Sequence, residues 1–380
     1  MGNVGLDSSV GPDRAVTNLV QQLSGIGVEA EVWHPDTANE DVREKAIGDI
    51  RVFELPAFSR SHEILRGLHP KARAFVEQRR NDVDLVHLHS VFTPHNVLIA
   101  RAAERPYVVS PRGGYSEGVL TGRHRWIKEG WMQFYERPYL RDAAALHAVS
   151  REEADGLENL LPDARIVHIP NAVEVPAQIP GRPHEDGTKR ISFIGRLAVR
   201  QKGLDLLLQG YARFVGSSRV DTELVIAGSD FRGGLSESAR LSRSLSISDH
   251  VRFPGPVYGD AKAELLSTSY AFVHTSRWEG LPFAALEALA IGRPVIVTPE
   301  TNLGRYVQEY DAGVVVAGTP EAIEHGLRML IESDPPTWNT MSDSAKRLAA
   351  EKFSWPEVVR RMVAMYELAL AGNSPTGKGA

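Results

Sequence analysis

The 380-residue sequence contains no cysteine, which excludes disulfide bonds, thiol nucleophiles and thiolate-bound metals. It also lacks an excess of either charge, because 43 Lys and Arg against 48 Asp and Glu give a net charge of −5. The main compositional argument for nucleic-acid binding is therefore absent. No apolar run approaches the roughly 18 residues of a membrane span, and the first residues lack a charged and then apolar leader. We expect a cytoplasmic protein.

Short β-branched runs alternate with longer amphipathic segments through most of the chain. This alternation is typical of βα units on parallel sheets. A proline-rich stretch interrupts it at 171–187 and indicates a linker. We predict two doubly wound α/β domains, 1–172 and 188–354, with a linker at 173–187, a final helix at 355–371 and a flexible tail at 372–380. The final helix should bury an apolar face made of Val358, Met362, Met365 and Leu368.

The predicted strands are short segments rich in Val, Ile and aromatic residues. In the first domain they are 30–34, 51–54, 85–89, 107–110, 145–148 and 165–169. In the second domain they are 190–194, 223–227, 251–254, 270–275, 294–298 and 313–316. Helices are predicted between them, among others at 15–25, 70–80, 126–140, 203–215 and 282–290.

Ligands of open α/β sheets bind beyond the carboxyl ends of the strands, and the second domain has two such places. At the first, Gly195 and Arg196 end a predicted strand, and Lys202 and Gly203 precede a helix. A glycine lets the backbone approach a ligand closely, and two fixed cations suit a diphosphate. Two solvated surface cations are the alternative. No GxGxxG or GxxxxGK[ST] motif is present, so dinucleotide-dependent oxidoreductases and P-loop NTPases lose their main support.

The second place is the segment SRWEGLPFAALEALAIG at 276–292. Pro282 suits the first turn of a helix and Gly292 suits its end, so Glu279 precedes the helix and Glu287 lies inside it. Amides at a helix start bind anions, and carboxylates accept hydrogen bonds from hydroxyls. A nucleotide sugar carries both groups. The alternative is a buried helix with one exposed glutamate near each end.

The spacing of Glu279 and Glu287, with the trailing EALAIGRPVIVT, resembles the signature of glycosyltransferase family 4. These are retaining enzymes of the GT-B fold, in which two doubly wound, Rossmann-like domains face a cleft. The segment FSWPEVVRRMVAMYELAL resembles the family's final helix, which crosses back to the N-terminal domain. Further matching positions are Pro170-Asn171-Ala172-Val173, Gly195-Arg196, Lys202-Gly203, Ala227-Gly228 and Phe253-x-Gly255.

The resemblance implies a role for each matching residue. Arg196 and Lys202 should hold the diphosphate and Glu279 the donor sugar, and these three residues should carry catalysis. Glu287 should hold the ribose hydroxyls. Further substrate contacts are expected from Gly280, Leu281, Pro282 and Phe283 at the sugar, from Pro254 at the base, from Gly11 near the phosphates, from Arg112 at phosphate or acceptor, and from His89 at the acceptor. The resemblance implies no metal and no other cofactor, since the nucleotide sugar is the donor substrate.

The sequence departs from the family pattern in two places. Val10 stands at the first glycine of a usual pair and only MGNVGLDSS precedes it, so the opening strand should be short or absent. Many relatives have Ser-x-His-Gly after the fourth strand, whereas this chain has Ser110-Pro111-Arg112-Gly113-Gly114. The usual histidine is therefore replaced at this position.

Two further patterns allow alternative interpretations. Val86-His87-Leu88-His89 places two imidazoles on one strand face, either as metal ligands or as satisfied polar groups at a strand end. The segment from Arg123 to Arg141 mixes cations with aromatics at near-helical spacing. It suits contact with anionic lipid headgroups, or it is a core-facing aromatic stripe with a solvated basic face.

We therefore expect a retaining glycosyltransferase that moves a hexose from a UDP- or GDP-sugar to a glycan or lipid-linked glycan acceptor, as in cell-surface polysaccharide biosynthesis. Such an enzyme would be cytoplasmic, with peripheral contact at the inner face of the membrane, and would need no nucleic acid. The alternatives are a nucleotide-sugar 2-epimerase of the same fold and a catalytically inactive scaffold subunit that binds nucleotide sugars.

Overall fold

The computed structural model describes residues 11–59, 63, 66–115, 129–177, 183 and 187–372. Packing divides the chain into unit 1, made of Met1–Pro170 and Val358–Ala380, and unit 2, made of Asn171–Glu357. Each unit is an α/β structure with a parallel sheet, as the alternating pattern predicts. The segment before Gly11, where the opening strand is expected to be short or absent, lies outside the described residues, as do most of the linker and the tail after Gly372.

Unit 1 contains two sheets. In the three-stranded sheet the order is β1-β3-β2, with β1 parallel and β2 antiparallel to β3. In the four-stranded sheet the order is β4-β5-β6-β7, and all neighbours are parallel. The strands are β1 (Glu31–Asp36), β2 (Arg43–Ile47), β3 (Ile50–Pro56), β4 (Val86–His89), β5 (Tyr107–Ser110), β6 (Ala145–Ala148) and β7 (Ile166–His168).

The strand β2 is not predicted by the sequence pattern. Its sequence REKAI has no buried side chain, so it lacks the alternation that marks a half-buried strand. Gly48, with a φ of 56°, turns the chain directly into β3. Lys45 Nζ lies 2.5 Å from Glu54 Oε1 across the pair. This strand is therefore held by pairing with β3 and not by burial.

The helices of unit 1 begin where local chemistry favours a start. Pro70 and Pro94 occupy first turns, where a proline costs no hydrogen bond. Ser150 Oγ accepts a hydrogen bond from Glu153 N as an N-cap. The predicted helix at 126–140 is observed from 129 to 141 and includes a π-helical turn, Met132–Glu136. The helices are α1 (Gly11–Gly25), α2 (Pro70–Arg79), α3 (Pro94–Ala103), α4 (Arg137–Arg141) and α5 (Arg151–Leu160).

Unit 2 is built on one parallel sheet of six strands in the order β10-β9-β8-β11-β12-β13. The order reverses between β8 and β11, which is where ligands bind in doubly wound folds. The central strands are completely buried at most positions, because helices cover both faces. The strands are β8 (Lys189–Ile194), β9 (Thr222–Ala227), β10 (Val251–Arg252), β11 (Ala271–His274), β12 (Val295–Val297) and β13 (Gly313–Val315).

Two helices of unit 2, α7 (Leu204–Ser217) and α12 (Pro320–Ile331), pack closely against each other. Gly210 of α7 allows the close approach, since a Cβ there would lie 2.7 Å from Ile323 Cγ2 of α12. Thr319 and Asp334 cap α12 and α13 through their side-chain oxygens. The helices are α6 (Val199–Lys202), α7 (Leu204–Ser217), α8 (Gly234–Ser244), α9 (Gly259–Thr268), α10 (Phe283–Ala290), α11 (Gly304–Tyr310), α12 (Pro320–Ile331), α13 (Pro335–Leu348) and α14 (Trp355–Ala371).

Several predicted boundaries in unit 2 are wrong by a few residues. The strand predicted at 251–254 ends at Arg252, so Pro254 lies in the following loop. Pro282 is the N-cap residue of α10 and not a member of its first turn. Gly292, with a φ of 75°, follows the end of that helix as predicted.

The final helix α14 belongs to unit 1 from Val358 onward. Val358, Met362 and Met365 are at most 4% exposed, as its apolar pattern predicts. Leu368 was predicted on the same face, but it is 54% exposed, and Ala369 is buried in its place. A helix of 3.6 residues per turn rotates the buried stripe by one position over this length. No described helix is long and apolar enough to cross a membrane.

We predict that two apolar residues of α14 differ sharply in their contribution to stability. Met365→Ala should lower the free energy of unfolding by about 2–5 kcal/mol, since it leaves a cavity in a packed core. Leu368→Ala should change it by less than about 0.5 kcal/mol, because that side chain is exposed. Urea denaturation of both variants measures the difference. Equal losses would contradict the observed orientation of the helix.

Candidate functional site

The centre of the site in unit 2 is the carboxylate of Glu279. Lys202 Nζ forms an ion pair with Glu279 Oε1, and each side chain is only 12% exposed. The same oxygen lies 3.3 Å from His274 Nε2 and 3.3 Å from Ser276 Oγ. The three donors come from the ends of two adjacent strands, β8 and β11, and the segments that follow them. The structure therefore brings together Lys202 and Glu279, which the sequence analysis placed in two separate motifs.

Backbone contacts fix the two loops that carry this pair. Thr275 Oγ1 donates to the carbonyl oxygens of Lys202 and Gly203 at 3.3 and 3.2 Å. Gly203 has a φ of 61°, and a Cβ at this position would overlap the carbonyl of Thr275. Asn302 Nδ2 donates to the carbonyls of Glu279 and Gly280 at 2.7 and 2.8 Å. Glycine is required at 203 because the two loops touch there.

Arg277, which the sequence analysis did not single out, forms further contacts between the two loops. Its guanidinium donates two hydrogen bonds of 2.8 Å to the carboxylate of Asp205 at the start of α7. Its backbone N–H donates to the carbonyl of Gln201 at 2.8 Å. A bidentate pair of this kind fixes orientation as well as distance. Lys202 and the Glu279 loop are therefore held at one relative position.

Burial changes the protonation of the side chains around Glu279. Burial, together with the charge of Arg196, lowers the pKa of Lys202 to about 7, whereas the Glu279 carboxylate favours the charged ammonium. Burial and the charge of Lys202 hold the pKa of His274 well below its usual range. The imidazole of His274 is therefore neutral and donates its Nε2–H to Glu279.

Arg196 lies at the end of β8, as predicted, and its side chain is exposed. Its guanidinium carbon is 4.4 Å from the centre of the Phe231 ring, and Nη2 donates to Gln201 Oε1 at 3.1 Å. Gly195 and Gly228 allow the strand ends to meet, since a Cβ on Gly228 would overlap the carbonyl of Gly195. This arrangement keeps a second fixed cation beside Lys202.

Glu287 lies inside α10, and its carboxylate forms an ion pair with Lys262 of α9. The two side chains are 18% and 15% exposed. The sequence analysis did not single out Lys262, because one lysine in an amphipathic helix carries no pattern.

The predicted base contact, Pro254, lies in the loop after β10. Gly255 O of that loop accepts a hydrogen bond of 2.8 Å from Gly228 N.

The four residues after Glu279 lead into α10. Gly280 O is held by Asn302, and Leu281 O accepts a hydrogen bond of 2.9 Å from Asn171 Nδ2. The N-cap residue Pro282 gives no side-chain hydrogen bond to the helix start, which begins at Phe283. The backbone around this start is thus positioned without a polar side-chain cap.

In unit 1, the predicted Gly11 is the first residue of α1.

The remaining predicted residues of unit 1, His89 and Arg112, lie at the ends of β4 and β5. Arg112 Nε donates to His89 Nδ1 at 3.1 Å. The rings of His87 and His89 share one strand face, with centres 4.2 Å apart. The described residues contain no group of three or more histidine, aspartate or glutamate side chains arranged to hold a metal ion. The two imidazoles take part in hydrogen bonds of the strand ends instead.

Sequence families match almost the whole described chain. The family described as "Glycosyltransferase Family 4" matches residues 11–175, and the family described as "Glycosyl transferases group 1" matches residues 175–348. An uncharacterised glycosyltransferase of Methanocaldococcus jannaschii is 31% identical over 188 residues, 49% of this chain and 46% of the relative. The GDP-mannose:cellobiosyl-diphosphopolyprenol alpha-mannosyltransferase of Xanthomonas oryzae is 25% identical over 312 residues, 80% of this chain and 78% of the relative.

Solved structures share the fold. Sucrose-phosphate synthase from Thermosynechococcus elongatus superposes with a TM-score of 0.72 at 17% identity, covering 96% of this chain and 94% of the other. A protein of Anabaena in complex with UDP and glucose gives a TM-score of 0.70 at 16% identity, covering 95% and 98%. The fold and the two family matches define a glycosyltransferase of the GT-B type. Both halves of the chain match models of glycosyltransferase families, so the protein is a glycosyltransferase of the family 4 type.

We predict that binding of a free nucleoside diphosphate weakens as pH rises above 7. A diphosphate at the place that the sequence analysis predicts would bind the ammonium form of Lys202, whose pKa is lowered to about 7. The affinity should therefore be constant well below pH 7. Above it, affinity should fall by up to about tenfold per pH unit. The phosphate itself, with a second pKa near 6, changes little in this range.

Isothermal titration calorimetry between pH 7 and 9 measures this dependence. Lys202→Arg is the matched control, because a guanidinium stays charged over the whole range. Its affinity should be nearly independent of pH. A flat profile for the unchanged protein would show that Lys202 remains charged or does not contact the diphosphate.

Proposed function

We propose that this glycosyltransferase is a retaining enzyme that transfers a hexose from a UDP- or GDP-sugar to a glycan or lipid-linked glycan. The observation that carries the proposal is the buried pair of Lys202 and Glu279, with Arg196 beside it. Fixed cations suit a departing diphosphate, and a carboxylate at the same place suits the hydroxyls of the sugar that leaves it.

In the proposed reaction, the bond between the anomeric carbon and the diphosphate oxygen breaks. The acceptor oxygen bonds to the same face of that carbon, and its proton passes to the departing phosphate oxygen. Arg196 and Lys202 stabilise the charge that develops on the diphosphate. Glu279 orients the sugar through its hydroxyls and holds it in position for attack. No metal ion takes part in this proposal.

Glu287 is proposed to bind the ribose hydroxyls. It comes from α10, the helix that follows the Glu279 loop, so one segment carries contacts to both ends of the donor. Lys262 neutralises this carboxylate in the absence of a ligand and keeps it within the partly buried site. A single negative charge buried there without a partner would be costly. The ribose hydroxyls would donate to the same carboxylate.

The acceptor is proposed to be a glycan or lipid-linked glycan of cell-surface polysaccharide synthesis. The printed name of the Xanthomonas oryzae relative describes a diphosphopolyprenol-linked acceptor, which supports the proposal by similarity. In the aromatic and basic segment of unit 1, Phe134 is 74% exposed, while Trp131 stacks on Tyr135 with ring centres 4.5 Å apart. The exposed ring favours peripheral membrane contact over the purely core-facing alternative; residues 123–128 lie outside the described residues.

We predict that one donor class stabilises the protein selectively. A ligand at a hundred times its Kd should raise the free energy of unfolding by about 2.7 kcal/mol. A thermal-shift screen of UDP-, GDP- and ADP-sugars measures this, since relatives and structural neighbours carry both GDP-mannose and UDP in their descriptions. A chain that none of these donors stabilises would contradict nucleotide-sugar binding. Conversion of UDP-GlcNAc without an acceptor would favour an epimerase instead.

We predict that replacing Glu287 and replacing Glu279 with alanine have different effects on nucleotide affinity and on the rate of transfer. Glu287→Ala should weaken free nucleotide and nucleotide sugar together, by about tenfold to a hundredfold, because the ribose is bound equally in ground and transition states. Measured below pH 7, where Lys202 is charged even without its partner, Glu279→Ala should leave affinity for free UDP or GDP nearly unchanged. It should lower transfer by more than that factor.

Calorimetry with the free nucleoside diphosphate, beside transfer kinetics, separates these outcomes. Glu264→Ala is a control, since that exposed carboxylate lies on α9 with Lys262 but outside the site. Equal loss of free-nucleotide affinity in both glutamate variants would overturn the assignment of roles. Loss in the control variant would indicate a general effect of removing charge.

A further inference from the structure

The ends of β4, β5 and β6 in unit 1 carry a chain of hydrogen bonds with a fixed direction. His147 Nε2 lies 2.8 Å from the carbonyl oxygen of Ile169, and a carbonyl only accepts. His147 Nε2 therefore carries the proton, and its Nδ1 accepts from Ser110 Oγ at 2.6 Å. Ser110 Oγ in turn accepts from His87 Nε2 at 2.7 Å, and His87 Nδ1 accepts from Tyr366 of α14 at 2.8 Å.

This chain fixes both histidines as neutral imidazoles. Burial is the main cause that holds the pKa of His87 well below its usual range and lowers that of His147 to about 3. Because the last acceptor is a backbone carbonyl, no proton can be passed through the chain to a further group. The chain is a support that ties α14 to the strand ends, and it sets the surroundings of His89.

His89 is assigned by the same reasoning. A guanidinium has no acceptor, so the bond from Arg112 Nε requires a lone pair on His89 Nδ1. The proton of the neutral ring must then be on Nε2. Among the described residues no acceptor is recorded for this N–H, and the side chain is only partly buried. Arg112 and His89 thus present donors and no basic nitrogen.

The carboxylate of Glu153 holds the turn that carries Arg112. Arg112 has a φ of 54° and Gly113 a φ of 78°, a left-handed turn that is costly for arginine. Glu153 Oε1 accepts from Gly113 N at 2.5 Å, and Oε2 accepts from Val149 N at 2.8 Å. One carboxylate therefore joins the loop after β5 to the start of α5 and keeps Arg112 against His89.

We propose that Arg112 and the Nε2–H of His89 form a donor-only site for a phosphoryl oxygen of a substrate, and that Glu153 is the residue that positions it. The class of ligand rests on the proposed function, because a glycosyltransferase with a nucleotide-sugar donor handles phosphoryl groups on its donor and on any phosphate-bearing acceptor. His89 is then a hydrogen-bond donor in this reaction and does not take the proton of the acceptor hydroxyl.

The tautomer is tested directly by two-bond 1H–15N correlation spectra of protein labelled with 15N-histidine. His89, identified by the signals lost in His89→Gln, should show the Nε2–H form at neutral pH. Titration with inorganic phosphate and, separately, with UDP and GDP should shift its Nε2 signal. If inorganic phosphate shifts the signal and the nucleotides do not, the site binds a phosphate of the acceptor. If only the nucleotides shift it, the site binds the diphosphate of the donor. An Nδ1–H form, or no shift with any of the three, would overturn the proposal.

Isosteric variants provide a second test that uses catalysis. Glutamine places an amide N–H near the position of imidazole Nε2, whereas asparagine mimics the Nδ1 side. With the donor identified by thermal shift, His89→Gln should therefore keep most of the rate of nucleoside diphosphate release. His89→Asn should lower it by about tenfold or more, the value of a hydrogen bond to a charged group. Equal and complete loss in both variants would indicate that His89 acts as a base.

The positioning role of Glu153 has its own spectroscopic readout. Glu153→Ala should release the Arg112 turn and change the nitrogen signals of His89, while those of His147 stay unchanged. Glu153→Gln, which keeps one acceptor, should restore part of the original pattern. Glu158→Ala is the control on the exposed side of α5. Unchanged His89 signals in Glu153→Ala, with the fold intact by circular dichroism, would overturn the role.

Failure of the donor-only site can be distinguished from failure of the proposed function. Calorimetry of the unchanged protein with UDP and GDP reports donor binding through the residues of unit 2. If neither nucleotide binds there, the proposed function fails even when the tautomer of His89 is as assigned. If one nucleotide binds but phosphate and nucleotides leave the His89 signal unchanged, the donor-only site fails and the proposed function stands.

Discussion

The buried ion pair between Lys202 and Glu279 is the interaction on which the candidate site depends. Removing two charges from water is costly, and their attraction repays that cost only with good geometry and further hydrogen bonds. The surrounding contacts supply both, through His274 and Ser276 on the carboxylate and through Thr275 and Asn302 on the two loops. In the proposed function, substrate would replace this mutual contact, because the diphosphate would pair with Lys202 and the sugar hydroxyls would donate to Glu279.

The glycines of unit 2 follow from the same constraint. Gly203 and Gly228 lie where the backbone of one strand end touches that of its neighbour. Any side chain at these positions would separate the loops and with them the cation and the carboxylate. In unit 1, side chains and not glycines hold the strand ends together. Its strand ends are joined by side chains whose hydrogen bonds have a single direction, from Tyr366 to the carbonyl of Ile169, and a carboxylate holds the Arg112 turn.

The sequence predicted most of the fold because its physical signals are local. Strands such as 107–110 and 145–148 are short apolar segments bounded by helices, and they agree with the structure residue for residue. The failures have equally local causes. The strand Arg43–Ile47 is charged and held only by its neighbour, and Leu368 lies where the buried stripe of α14 has rotated to Ala369. The hydrophobic pattern predicts neither the pairing of this strand nor the rotation of the buried face of α14.

The sequence by itself determined the resemblance to the family, most of the strands and helices, and the identity of Arg196, Lys202, Glu279 and Glu287 as candidate residues. These features rest on spacing along the chain, which the sequence contains in full. Only the tertiary structure joined Lys202 to Glu279, placed Lys262 against Glu287 and set Glu153 behind Arg112. Those pairs are 77, 25 and 41 positions apart in sequence number, by subtraction of the residue numbers. The lowered pKa of Lys202 arises from burial, and the contacts of the three pairs arise from the way the chain folds, so no local pattern encodes either.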